Sequence, residues 1–262
     1  MEHLIGIDIG STCAKTVVMN EDKQIITRFV QPTGWNSFET ADRIREQLLT
    51  GGIDVEAAFT VATGYGRISV PFADERVTEI SCHGKGACHI HNGDDLTVID
   101  IGGQDTKIIR VDNGGVSDFS MNDKCSAGTG RFLEVMANTL GVRLEELFDL
   151  AGRGGGTAIS SMCTVFAESE VISLIGRGEK KENIAFAIVD SIVRKVASQA
   201  GRFTQGKTAV CLTGGLCDSR YVVDALSLAL KVPVTATSDG RFAGAIGAAL
   251  YAHARKLKGV RA

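Results

Sequence analysis

An internal echo constrains this chain more than any other feature. Ile7-Asp8-Ile9-Gly10 recurs as Ile99-Asp100-Ile101-Gly102, an offset of 92 residues (99 − 7). The lysine that follows keeps the register, with Lys15 matching Lys107 (107 − 15 = 92). Apolar segments frame each copy: Thr16 to Met19 after the first, Leu96 to Ile99 before the second and Ile108 to Val111 after it. Apolar runs on both sides of a small polar turn read as strand, turn, strand. A chain that repeats this unit is expected to form two related α/β lobes that face each other across a cleft.

The two turns, Gly10-Ser11-Thr12-Cys13-Ala14 and Gly102-Gly103-Gln104-Asp105-Thr106, have the composition of phosphate cradles. Glycine-rich turns aim backbone N–H groups at anions. Ser11 and Thr12 add hydroxyl donors, and Lys15 adds a compact charge. Asp8 and Asp100 suit Mg²⁺ held through water, the way this small cation prefers to be bound. A nucleotide in the cleft is therefore expected to meet Gly10, Ser11, Thr12, Cys13, Ala14, Lys15, Gly102, Gly103 and Gln104. Neither a G-x-x-x-x-G-K-[ST] loop nor a G-x-G-x-x-G turn after a strand occurs, and Gly128-Thr129-Gly130-Arg131 has only part of the latter shape. A third signal is the apolar run Ala209 to Leu212 leading into Thr213-Gly214-Gly215, followed by a helix-like stretch from Ser219 to Leu230. Without a Cβ in the way, Gly214 and Gly215 can let a flat adenine lie on the backbone.

The 262 residues leave room for one large domain or two lobes with real cores. Glycine (31) far outnumbers proline (3), so loops bend through glycine. A net charge of −3 with no basic block argues against nucleic acid as a partner. No apolar run approaches the ~18 residues of a membrane span. Met1 to Leu4 run straight into a strand pattern, so no leader is expected and the chain reads as cytoplasmic. Seven cysteines with no C-x-x-C do not suggest a disulfide framework.

With these motifs in view, the chain resembles the acetate-kinase, sugar-kinase, heat-shock ATPase and actin superfamily. One branch is similar nearly end to end. It is identified by Ala62-Thr-Gly-Tyr-Gly-Arg67, Asp100-Ile-Gly-Gly-Gln-Asp105, Asn122-Asp-Lys-Cys-Ser-Ala-Gly-Thr-Gly-Arg-Phe132 and Ser160-Ser-Met-Cys-Thr-Val-Phe-Ala-Glu-Ser-Glu170. That branch is the activators of 2-hydroxyacyl-CoA dehydratases, with the related ATPase subunits of benzoyl-CoA reductase. The resemblance implies two duplicated ribonuclease-H-like lobes with a nucleotide cleft between them, the actin-like ATPase fold. The first lobe is expected over residues 1–92, joined by the C-terminal helix 243–258, and the second over 93–242. Catalysis falls to Asp8, Asp100 and Gln104. Gln104, where an acidic base might stand, can only orient water, which implies slow hydrolysis.

Cys125 and Cys163 each precede a helical run, Phe132 to Leu140 closed by Gly141 and Val165 to Ile175 closed by Gly176. Both are expected just ahead of helix N-termini, which favour negative charge. A cubane cluster takes four thiolates. One chain offers two well-placed thiols, so a symmetric homodimer would supply four around a shared 4Fe–4S cluster, as the resemblance also implies. Among the other cysteines, Cys13 lies in a phosphate turn, Cys211 reads as core and Cys217 as a small filler. Cys82-His83 and Cys88-His89-Ile90-His91 invite a zinc reading, although C-x₅-C fits no common module. As a strand, the second segment would put His89 and His91 on one face, whether as ligands or as ordinary polar residues. Glu168 and Glu170 suit a helix N-terminus, and Arg177, Lys180, Lys181 and Glu182 read as a solvated face. Gly244 and Gly247 share a helix side, which suits either a hinge or a closely packed terminal helix.

The function expected is ATP-dependent delivery of single electrons to an iron–sulfur dehydratase or reductase, with reduced ferredoxin or flavodoxin as donor. Lowering a one-electron potential by ~300 mV costs ~7 kcal/mol, a reason for such transfer to need ATP. A small-molecule kinase of the same superfamily and an ATP-dependent interaction module with a structural cluster are the alternatives. The kinase would need inserted specificity subdomains, for which 262 residues leave little room.

Overall fold

A computed structural model describes residues 3–160, 163–205, 208–257 and Gly259. Ser161 and Met162 of the second cysteine motif, and Lys258 at the expected end of the last helix, lie outside the described residues.

In chain order the elements are β1 (Leu4–Ile9), β2 (Cys13–Met19), β3 (Ile25–Pro32), α1 (Ser37–Thr50), β4 (Phe59–Thr63), β5 (Glu75–Arg76) and α2 (Glu79–His91). They continue with β6 (Leu96–Ile101), β7 (Thr106–Asp112), β8 (Gly115–Asn122), α3 (Gly130–Leu140), α4 (Leu144–Ala151), α5 (Thr164–Gly176) and α6 (Lys181–Ala200). The last are β9 (Ala209–Gly214), α7 (Arg220–Leu230), β10 (Val234–Thr235) and α8 (Ala243–Leu257). The chain divides into two compact units, Met1–Asp95 with Val111–Ser117 and Asp239–Ala262, and Leu96–Arg110 with Asp118–Ser238.

The sequence echo extends to whole sheets. One sheet runs β3-β2-β1-β4-β5 and the other β8-β7-β6-β9-β10, the same order with every strand replaced by its counterpart. β1 pairs antiparallel with β2 and parallel with β4, and β6 pairs parallel with β9. The central strands β1 and β6 are buried along their whole length, which is why both are mainly apolar, with Asp8 the one charged residue of β1 and Asp100 that of β6.

Strand alternation divides the labour of β1. Ile5, Ile7 and Ile9 enter one core with Ala41, Ile44 and Leu48 of α1. Each such fully buried isoleucine or leucine stabilises by about 1.5–3 kcal/mol. Leu4, Gly6 and Asp8 fall on the opposite face, under α8. A Cβ at Gly6 would sit 2.0 Å from the Ala245 carbonyl oxygen, so this strand position requires glycine. α8 also lies against α2: a Cβ at Gly86 would meet the Ala243 oxygen at 1.9 Å, and one at Gly247 the Cys82 oxygen at 1.8 Å. Gly244 and Gly247 thus serve a closely packed terminal helix.

The segment Glu79–His91 is helical, not extended, capped by the Thr78 side chain and closed by Asn92 in the left-handed region. Positions two apart on a helix point to different sides, so His89 and His91 share no face. Gly176 lies inside α5 and Arg177 is its C-cap; the left-handed turn comes at Gly178 (φ 74°). Among the described residues no helix is long and apolar enough to cross a membrane.

Candidate functional site

The two polar turns close in the same way. The Gly10 N–H donates to the Cys13 carbonyl over 3.1 Å, and the Gly102 N–H to the Asp105 carbonyl over 2.9 Å, the same positions at the 92-residue offset (102 − 10). In the first turn, Thr33 holds the outer side by donating its hydroxyl to the Gly10 oxygen at 2.7 Å. Thr12 and Gln104 are exposed at the tips; Gly10, Ser11, Cys13, Lys15, Gly102 and Gly103 are half-buried, and Ala14 is buried in β2. Each turn follows a strand that carries a buried carboxylate, Asp8 in one unit and Asp100 in the other.

Each aspartate has a glycine-walled seat. Gly64, after β4, has φ +84°, and a Cβ there would lie 2.4 Å from Asp8 Oδ1 and 2.5 Å from the Ile9 oxygen. Gly214, ending β9, has φ +86°, and a Cβ there would lie 3.0 Å from Asp100 Oδ1 and 2.4 Å from the Ile101 oxygen. Gly64 therefore does for Asp8 what Gly214 does for Asp100. Gly215 has open space where its Cβ would be.

The remaining neighbours differ. Asp8 Oδ2 faces His83 Nε2 at 3.8 Å, and His83 is 3.9 Å from Glu79 Oε1 one helical turn away. One ligand atom from each of Asp8, Glu79 and His83 gathers within 4.8 Å, a donor set that could hold a cation. Gly244 leaves room for it, since a Cβ there would lie 2.6 Å from Asp8 Oδ2. The sequence signal for His83 is Cys82-His83 at helical spacing from Glu79, which a search for zinc spacing does not find. Beside it, burial pushes the Cys82 thiol up to about 12, so it stays protonated and is no ready metal ligand. Asp100, by contrast, accepts a hydrogen bond from Thr213 Oγ1 at 2.8 Å and lies 3.3 Å from the buried Lys107 ammonium, which also meets Asp105 at 2.7 Å.

Of the seven cysteines, Cys125 and Cys163 are the exposed ones; Cys82, Cys211 and Cys217 are buried. Cys163 is the N-cap of α5, as expected, but Cys125 lies in a loop four residues before Thr129, the N-cap of α3. The loop is shaped by polar contacts: Asn122 Nδ2 donates to the Cys125 oxygen at 2.9 Å and the Ala127 oxygen at 3.0 Å. Ser126 Oγ and Thr164 Oγ1, the residues after the two cysteines, are 2.7 Å apart. This contact ties the residue after Cys125 to the residue after Cys163 within the second unit. Two further ties brace α5: Thr139 Oγ1 donates to Glu168 at 2.9 Å, and Glu170 accepts from the Ser160 amide and hydroxyl, each 3.1 Å from Oε1.

The cysteine loop is bonded directly to the second polar turn. The Gly130 N–H donates to the Gly102 oxygen at 2.9 Å and the Arg131 N–H to the Gly103 oxygen at 2.8 Å. Thr106, at the start of β7, donates its buried hydroxyl to the Gly128 oxygen at 2.6 Å.

Two sheets of one strand order, each ending its central strand in a seated aspartate and a glycine turn closed by a backbone hydrogen bond, define a nucleotide-binding protein of the actin-like class. A glucokinase of the ROK family from Streptomyces griseus shares this fold alone: 17% identity, TM-score 0.63, covering 95% of this chain and 98% of that one. Much nearer is the (R)-2-hydroxyglutaryl-CoA dehydratase activating ATPase of Acidaminococcus fermentans, 43% identical over 259 residues, or 98% of this chain and 99% of that protein. The crystal structure of that organism's dehydratase component A superimposes with a TM-score of 0.91, covering 98% of this chain and 100% of the other. The activator of 2-hydroxyisocaproyl-CoA dehydratase from Clostridium difficile, solved with bound ADPNP, gives 0.89 at 35% identity, covering 99% of this chain and 98% of the other. Residues 5–252 match the model of the BadF/BadG/BcrA/BcrD ATPase family, and this chain belongs to that family.

Proposed function

We propose that this chain is an ATP-hydrolysing activator that delivers single electrons at low potential to an iron–sulfur acyl-CoA dehydratase or related reductase. Asp8 and Asp100 hold Mg²⁺ through water, the two turns and Lys15 receive phosphate oxygens, and Gly214-Gly215 underlies the adenine. Gln104, exposed at its turn and uncharged, orients the attacking water without taking its proton. Cys125 and Cys163 fit a cluster: they are the exposed thiols, the residues that follow them are joined by the Ser126–Thr164 contact, and Cys163 is the N-cap of α5, where helix N–H groups favour an anionic group. Two such pairs, one from each protomer of a homodimer, would hold one 4Fe–4S cluster, which when bound passes one electron at a time. Val165 and Phe166, in the first turn of α5 after Cys163, and Ile172 and Ile175 further along the same helix are exposed apolar side chains, suited to contact with a second copy. Ferredoxin or flavodoxin is the donor, and the acceptor is a dehydratase, by analogy with the relatives named above.

The observation that carries this reading is the bonded clasp between the second turn and the cysteine loop, formed by Gly102, Gly103 and Thr106 on one side and Gly128, Gly130 and Arg131 on the other. A γ-phosphate that shifts this turn must shift the start of α3 with it. The test compares reconstituted protein in Mg-ATP and Mg-ADP, following iron loss to a chelator and the paramagnetic resonance of the reduced state. Different chelation rates and spectra are expected. Identical ones, with nucleotide bound in both, would favour the ATPase with a structural cluster.

A further inference from the structure

We infer that Lys107 is a positioning residue that aims Asp100 at the hydrated cation, and that the duplicated lysines have parted in role. The inference rests on the reading of Asp100 as a Mg²⁺ holder. Lys15 and Lys107 occupy the same place in the echo, yet their surroundings differ. Lys15 is half-buried, with its ammonium over the first turn, 3.7 Å from where a Gly10 Cβ would be. Lys107 is 1% exposed and lies between two carboxylates, 3.3 Å from Asp100 and 2.7 Å from Asp105.

The reason for the divergence is one residue. Asp105 corresponds to Cys13 (105 − 92). The first turn therefore lacks the carboxylate that holds Lys107 down, and Lys15 keeps its charge for a ligand. In the second turn Asp105 folds over Gly102, where a Cβ would come within 2.3 Å of its Oδ1. A buried ammonium is tolerated only when paired and hydrogen-bonded. Here the pairing has a geometric result. Asp100 has Oδ1 engaged by Thr213 and Oδ2 by Lys107, so its carboxylate plane is fixed from both sides.

The role predicts a separation that a phosphate ligand would not show. Lys107→Met is expected to raise the half-saturating Mg²⁺ for ATP turnover by about 10–100-fold, as loss of an outer-shell partner does. Binding of fluorescent mant-ADP in EDTA should be unchanged. The double variant Lys107→Met/Asp105→Asn removes one charge of each sign. It should recover the melting temperature while keeping the raised Mg²⁺ requirement, and it carries the test if the single variant does not fold. A fall in mant-ADP affinity equal to the rise in Mg²⁺ requirement would make Lys107 a phosphate ligand and overturn the inference. So would a normal Mg²⁺ requirement in the double variant, which would leave Lys107 only stabilising the turn. Asp100→Asn is measured alongside: a normal Mg²⁺ requirement there overturns the reading of Asp100 itself.

Discussion

Thr213 donates its hydroxyl hydrogen to Asp100 Oδ1 across 2.8 Å, and it stands directly beside Asp100 in the β6–β9 register. Thr63 holds the same register position beside Asp8 in β1–β4. In both units the threonine is followed by a glycine at positive φ that seats the aspartate. Replacing Thr213 by valine keeps the shape and removes the donor. A hydrogen bond to a charged group contributes about 1.5–3 kcal/mol, so Thr213→Val should lose stability on that scale in chemical denaturation. ATP turnover should drop as well, and Thr213→Ser should restore both. Wild-type stability in the valine variant would mean that Asp100 does not depend on this bond.

This pairing was only half legible in the sequence. The D-I-G turns repeat at 92 residues, but Thr63-Gly64 and Thr213-Gly214 are 150 apart (213 − 63). The extra 58 residues (150 − 92) reflect the second unit, which runs from α3 through α6 where the first has only α1 between β3 and β4. A fixed offset finds Asp100 and misses Thr63. The strands, turns and cysteine motifs were readable because local pattern sets them. His83 beside Asp8, and Lys107 between Asp100 and Asp105, were not, because packing of α2 and a folded-back side chain decide those contacts.

Gly215 and Gly64 should separate binding from folding. A Cβ at Gly215 meets nothing within 4 Å. Gly215→Ala is therefore expected to leave the melting temperature unchanged while raising KM for ATP. Gly64→Ala must strain a positive φ, at about 1–2 kcal/mol, and displace Asp8 as well. It should lose both stability and turnover. Melting curves and steady-state kinetics on the two variants check this directly, and an unaltered KM in Gly215→Ala would remove that glycine from the adenosine site.

The cysteines should react in the order of their exposure. In metal-free protein treated briefly with iodoacetamide, mass spectrometry should find Cys125 and Cys163 modified first and Cys82, Cys211 and Cys217 protected until unfolding. In reconstituted protein, either Cys125→Ser or Cys163→Ser should lose iron together with dimerisation. Full iron content in monomers of either variant would contradict a shared cluster.

Alkaline pH should find Cys82. Burial raises its thiol from the ordinary 9.0 to about 12. A folded-state value above the unfolded one leaves stability unaffected below 9.0, then lowers it progressively up to about 12 as the unfolded chain releases a proton that the native state retains. Cys82→Ala should flatten the stability–pH curve over that interval relative to wild type. Parallel curves for the two proteins would show that this thiol titrates alike in both states.

The glycine contacts between β1 and α8 also set a timetable. Gly6 emerges from the ribosome early, and Ala245, against which it packs, comes 239 residues later (245 − 6). At usual synthesis speeds of about 5–20 residues per second, that is a wait of roughly 10–50 s. Leu4, Gly6 and Asp8 have no cover from their own helix during this interval. Nearly all of the second unit is synthesised in the meantime, as one stretch broken only by Val111–Ser117. The face of β1 that carries Gly6 is therefore completed late, with α2 in place long before α8, and a nascent chain stalled before Ala243 is expected to leave Gly6 open to chaperones.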